Sequence, residues 1–190
     1  MEIPDSPEAP QTTFQGVDYV GRTYTSAEEL VNAADSIVIA RIEDIGFERM
    51  TAKTAYLKDN IEMFDSPQEE APNAKAGDII TVYRVNVTKG LKDFDISQGD
   101  DAENLLEFRV YGGSNTADAQ AQEEICGSTI PLVFNMDDLA VGETYLFLLD
   151  EGGSVTTLVS LPQGTYSEDH PFDTDACGIS YESIMEALER

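Results

Sequence analysis

The sequence carries one histidine, two cysteines and eleven basic residues against thirty-seven acidic ones. Each scarcity narrows what the chain can do. With His170 as the only histidine, any imidazole acid–base chemistry rests on that one position. Cys126 and Cys177 have neither Cys-x-x-Cys spacing nor neighbouring histidines, so they do not form a zinc site. The shortage of bases leaves a formal charge of −26. A surface that negative repels phosphate backbones and anionic headgroups, and nucleic acid is not an expected partner. No run approaches the roughly 20 apolar residues needed to span a bilayer, so direct membrane insertion is not expected. The Gly-x-Ser-x-Gly, His-Glu-x-x-His and phosphate-binding Gly-loop signatures are missing as well.

What is present is the composition of a globular domain. With 190 residues, 41% of them hydrophobic, the chain has enough material for one domain with a sizeable core. The acid excess suits the solubilising surface of a secreted or salt-adapted protein. Residues 1–13, rich in proline, acids, serine and threonine, read as a flexible tether, and residues 14–190 as a single domain. The N-terminus lacks the basic and apolar regions of a signal peptide. A cytoplasmic protein fits, as does an exported domain whose leader has been removed; the tether favours export, to a secreted or cell-surface-tethered state. Cys126 and Cys177 each precede a glycine in a polar loop, and an exported protein pairs such thiols. The expectation is a Cys126–Cys177 disulfide, contributing roughly 4 kcal/mol.

The stretch Asp35–Met50 organises the pattern. Ser26 with Glu29 forms a capping box for a short helix, with Leu30, Val31 and Ala34 on its apolar side, and the chain then passes directly into a strand. Val38, Ala40 and Ile42 share one face, but beyond Asp44 the apolar positions are Ile45 and Phe47, on the other parity. A β-bulge near Glu43–Asp44 reconciles them. The alternative is a strand buried on both faces at its start, since Ile37 and Ile39 are apolar too.

Further strands are expected at Asp78–Lys89, Leu105–Tyr111, Thr144–Leu149 and Val155–Leu161, with an edge strand at Ile130–Phe134 and a short one at Thr165–Tyr166. A helix capped by Ser180 covers Tyr181–Glu189, and residues 113–127 read as a polar loop. Residues 50–77 form a long excursion in which Leu57, Ile61 and Phe64 fall at helical spacing. Tyr56, Leu57, Ile61 and Phe64 are its candidate binding residues. Five or six short strands with helices only at the ends predict a mainly β, OB-like barrel with a short N-terminal and a C-terminal helix.

Three segments carry a resemblance. They are Ala34-Asp-Ser-Ile-Val-Ile-Ala-Arg41; Tyr83-Arg-Val-Asn-Val-Thr-Lys-Gly-Leu91; and Glu124-Ile-Cys-Gly127 followed by Gly142-Glu-Thr-Tyr-Leu-Phe-Leu148. In order and spacing, over about Thr25–Gln163, they resemble the netrin-like module of the tissue inhibitors of metalloproteinases, which also occurs in exported bacterial proteins. The resemblance implies an OB-type barrel and an extracytoplasmic habit. It does not carry inhibition across: that activity needs an N-terminal cysteine, and no cysteine precedes Cys126 here.

Around the lone histidine, Glu168, Asp169, Asp173 and Asp175 offer oxygens to Ca²⁺ without the EF-hand order, and Cys177 with His170 could form a nucleophilic pair. Against these stands the plain reading of a loop histidine among surface acids. The expectation is a monomeric, non-enzymatic domain without a cofactor, unless Ca²⁺ is one, binding an unidentified protein or glycan through its loops. The alternatives are a hydrolase or calcium-dependent site at His170/Cys177, and a salt-adapted structural domain.

Overall fold

The computed structural model describes residues 12–19, 22–58, 61–63, 79–96, 104–133, 139–171 and 173–190. Helix α1 (Ala27–Ala33) begins as its sequence requires, with Ser26 Oγ accepting from the Glu29 amide at 3.2 Å. The reciprocal half of the capping box is displaced by one residue, because Glu29 accepts from the amide and hydroxyl of Thr25. Those bonds hold the Glu29 carboxyl below its ordinary range. The far end of α1 has no basic residue of its own. Lys92 supplies one, donating to the carbonyls of Val31 and Ala34 where the helix dipole is negative.

From α1 the chain enters the 14-residue strand β2 (Ser36–Arg49), which lies between β4 (Ile79–Lys92) and β7 (Thr144–Asp150) in an antiparallel sheet. The β2–β4 register slips between Ile42 and Asp44, leaving Glu43 as the extra residue of a bulge. Val38, Ala40, Ile42 and, past the bulge, Ile45 therefore reach the same core. The alternative of double burial also holds, since Ile37 and Ile39 are buried in a second core. The two readings are compatible because one concerns the end of the strand and the other its start. Two further slips skip Thr88 and Leu91 on β4, and no sequence pattern announced them.

β5 (Leu105–Tyr111) extends the sheet beyond β4, while β8 (Thr157–Leu158) and β9 (Thr165–Ser167) pair with β7. The six strands curl into a half-barrel of OB type. Its edges are tied where the Arg109 amide donates to the Thr156 carbonyl at 2.9 Å, a seam between β5 and the start of β8. Tyr83 stacks on Phe108 inside, with ring centroids 5.1 Å apart, and Phe147 tilts against Phe108 at 4.9 Å. The apolar run of β7 is covered on both sides: Phe147 and Leu149 face this interior, and Leu146 and Leu148 face the helices. There α1 and α3 (Tyr181–Leu188), the latter closed by a Ser180/Ser183 capping box, cover Ile37 and Ile39.

A smaller sheet sets β1 (Thr13–Tyr19) parallel to β6 (Thr129–Val133) and antiparallel to β3 (Ile61–Met63). Thr13 thus belongs to a strand rather than to the tether, whose residues 1–11 lie outside the described ones. The helical spacing of Leu57, Ile61 and Phe64 is realised only as a 3₁₀ turn at Ala55–Lys58. Ile61–Met63 pairs with β1 instead, because a full backbone ladder outweighs a three-position periodicity. Phe64 lies outside the described residues.

Two expectations are corrected on the flank of β4. Residues 119–126 are not loop but helix α2 (Ala119–Cys126). Its buried positions are Gln122 and Cys126, so no apolar stripe marks it. The Gln122 amide accepts from Ser114 N at 2.8 Å and donates to Ser114 O at 2.7 Å, taking the place of a peptide group. The second correction is the disulfide. Cys126 is buried with Ile79, Ile130 and Leu132, whereas Cys177 is exposed in the loop before α3, and the two sulfurs are not bonded to one another. The helix drives the first thiol into a small core, on a different flank from the loop that carries the second.

Candidate binding site

In an OB fold the loop after the first barrel strand and the loop between the last two border the ligand surface. Here the first is the excursion that leaves β2 at Met50, and the second is residues 151–156. They meet at Tyr56. Its hydroxyl donates to the Val155 carbonyl at 3.0 Å and accepts from the Val155 amide at 3.4 Å. Gly153 lies directly beneath, and a Cβ at that position would overlap the phenol. Leu57 packs on the barrel interior, and the Lys58 ammonium lies 5.8 Å from the centre of the Tyr111 ring. The 3₁₀ turn therefore seals the β5–β8 seam, and Tyr56 and Leu57 anchor the excursion to the barrel. Ile61 continues it as the first residue of β3, opposite Tyr19.

The outer face of β2, β4 and β5, where OB folds stack nucleic-acid bases, is occupied by an ion-pair ladder. Arg84 bonds Asp44 at 2.6 Å and Glu107 at 2.9 Å, and Arg109 bonds Glu48 at 2.9 Å and Glu107 at 2.7 Å. The Arg84 bond, helped by Arg109, holds the Glu107 carboxyl below its ordinary range against the opposing effect of burial. Tyr83, next to Arg84 in sequence, is fully buried rather than offered to a ligand.

The acidic segment before α3 is organised by Asp175. Its Oδ2 accepts from Gln163 Nε2 at 2.9 Å and from the Tyr166 hydroxyl at 3.0 Å, and its Oδ1 accepts from the amides of Cys177 and Ile179 at 2.8 and 2.9 Å. Burial, and then the Asp175 charge, push the Tyr166 phenol far above its ordinary pKa. Gln163 is buried like Gln122, and it pairs with both backbone groups of Tyr24, at 2.7 and 2.9 Å. Asp175 is thus a structural hub with its oxygens engaged. Glu168, Asp169 and Asp173 are exposed, and no group of three or more His, Cys, Asp or Glu side chains suited to a metal ion occurs among the described residues. His170 is exposed, and no hydrogen bond joins it to Cys177; its amide donates to Ser167 Oγ.

Sequence reasoning identified Asp175 but not its partners, nor the meeting of Tyr56 with Val155. The Gly152-Gly153 pair was the one available signal, because a bare backbone invites a close approach. Compared with models of known protein families and with curated proteins, the sequence finds no match.

Proposed function

We propose that this chain is a non-enzymatic binding module whose excursion 50–77, anchored beside the 151–156 loop, engages a protein or glycan ligand. The observation that carries this reading is the Tyr56–Val155 contact. It draws together the two loops that OB-type barrels use for recognition, on a scaffold that fixes where the excursion starts. The zwitterionic ladder on the sheet face and the charge of −26 argue against nucleic acid as the ligand. The three-segment resemblance to netrin-like modules and the proline- and acid-rich start favour an extracytoplasmic setting, secreted or tethered.

The test is a variant lacking residues 65–76, which keeps the 3₁₀ turn and β3. Screened beside the intact chain against arrayed glycans and extracellular proteins, it is expected to melt like the parent and to lose the ligand the parent captures. Undiminished capture by the shortened chain would remove the excursion from the site. A hydrolase at His170/Cys177 would instead show turnover that His170→Ala abolishes.

A further inference from the structure

The smaller sheet hangs on its middle strand. Among the described residues β3 pairs with β1 alone, and β1 connects it to β6 through a second, parallel ladder. β6 in turn is fixed to the body of the fold. Ile130 and Leu132 are buried with Ile79, and the Gly113 amide donates to the Pro131 carbonyl at 2.7 Å. β1 is held differently. The Thr13 amide donates to the Ser128 carbonyl at 2.7 Å, and the register runs on to Val17 opposite Val133. Just before it, the Thr12 hydroxyl donates to the Glu123 carboxylate. The described side chains of β1 add little to this. Thr13 and Phe14 are exposed, Phe14 by 38%, and none joins an apolar cluster.

We propose that β1 is a detachable clasp: seated, it fastens β3 to β6, and unseated, it frees β3 while the barrel stays folded. A backbone ladder must outweigh the conformational entropy of the residues it orders, and without buried side chains the balance is close to even. A strand held in that way opens locally, well below the free energy that unfolds the whole domain. The topology sets what the opening releases. The six barrel strands pair only among themselves, so none of them loses a neighbour when β1 leaves. β3 loses the one strand it pairs with among the described residues. The consequence for binding rests on the role proposed above for the excursion. Because β3 lies within it, the N-terminal segment that leads into β1 controls how firmly that part is held.

The experiment is amide hydrogen exchange, read by NMR on the isotope-labelled full chain. Glu62, opposite Asp18, and Leu132 of β6 are expected to open together. They should exchange at least about tenfold faster than Tyr83 and Val85, which lie in β4 between two paired neighbours. The Gln15 amide points to β6 as the Thr13 amide two residues earlier does, so Gln15→Pro removes a donor from that ladder. This variant should speed exchange at Glu62 and Leu132 by a common factor of roughly tenfold or more and leave Tyr83 and Val85 unchanged. Gln15→Ala keeps the amide and should change them less. The proposal is overturned if Glu62 is as protected as Tyr83 in the parent, if it keeps its protection in Gln15→Pro, or if the loss spreads to Tyr83 and Val85. None of these readouts needs a ligand. A failed clasp therefore leaves the role of the excursion standing, and a failed ligand screen leaves the clasp.

Discussion

The Tyr56 hydroxyl lies 3.0 Å from the carbonyl oxygen of Val155, joining segments 99 residues apart. Removing the hydroxyl with Tyr56→Phe should cost about 1 kcal/mol in urea unfolding. Gly153→Ala, whose methyl would displace the same phenol, should also destabilise. The double variant should lose less than the sum, because both changes break one interaction.

The bulge at Glu43 predicts a contrast between deletion and substitution. Deleting Glu43 shifts Asp44–Arg49 by one position and turns Ile45 and Phe47 away from their clusters. The expected loss is on the order of 3 kcal/mol, visible as a large fall in the urea midpoint. Glu43→Ala keeps the register and loses only an exposed ion pair with Arg41, so its effect should stay within about 0.5 kcal/mol.

Glu107 sets a pH signature. Its carboxyl is held below the ordinary range in the folded chain, so the stability it contributes is present above about pH 4.3. That stability is lost as the pH falls through the lower folded value. Wild type and Glu107→Gln should differ by up to about 1 kcal/mol at neutral pH, because the site is partly exposed, and should converge in acid. Urea titrations at neutral and acidic pH read the difference directly.

Gln163→Leu should cost roughly 2 kcal/mol or more, since it leaves the amide and carbonyl of Tyr24 without partners in a buried setting. Gln163→Glu should be worse at neutral pH, because it sets a second carboxylate against Asp175. Thermal melts at two pH values should show partial recovery of the Glu variant in acid.

The thiols give a direct chemical reading. Without reductant, the folded chain should react at Cys177 alone, and the denatured chain at both cysteines. Mass spectrometry after alkylation distinguishes this from an oxidised chain, in which neither would react.

Much of the fold was legible because it rests on apolar periodicity. Val38, Ala40 and Ile42 against Ile45 announce a change of phase, and only a bulge lets one strand satisfy both sets. The alternation in Leu106, Phe108 and Val110 sets the inward face of β5, and the unbroken run of β7 requires cover on both sides. Helix α2 escaped because its buried residues are a glutamine and a cysteine, and burial of Gln122 makes sense only beside the Ser114 backbone it completes. The candidate site was legible as a long insertion but not as a geometry. Leu57 and Ile61 share a helical spacing, yet one is drawn into the barrel and the other into a ladder with β1.

The sequence by itself therefore determined the local features: the cap at Ser26, the bulge at Glu43 and the sidedness of the strands. Tertiary structure alone decided that Tyr56 meets Val155, that Asp175 gathers Gln163, Tyr166 and two amides, and that Cys126 and Cys177 stay apart. The physical reason is range. Periodicity and capping act between near neighbours, whose geometry the backbone dictates, whereas partners for buried polar groups are chosen only when distant segments arrive together.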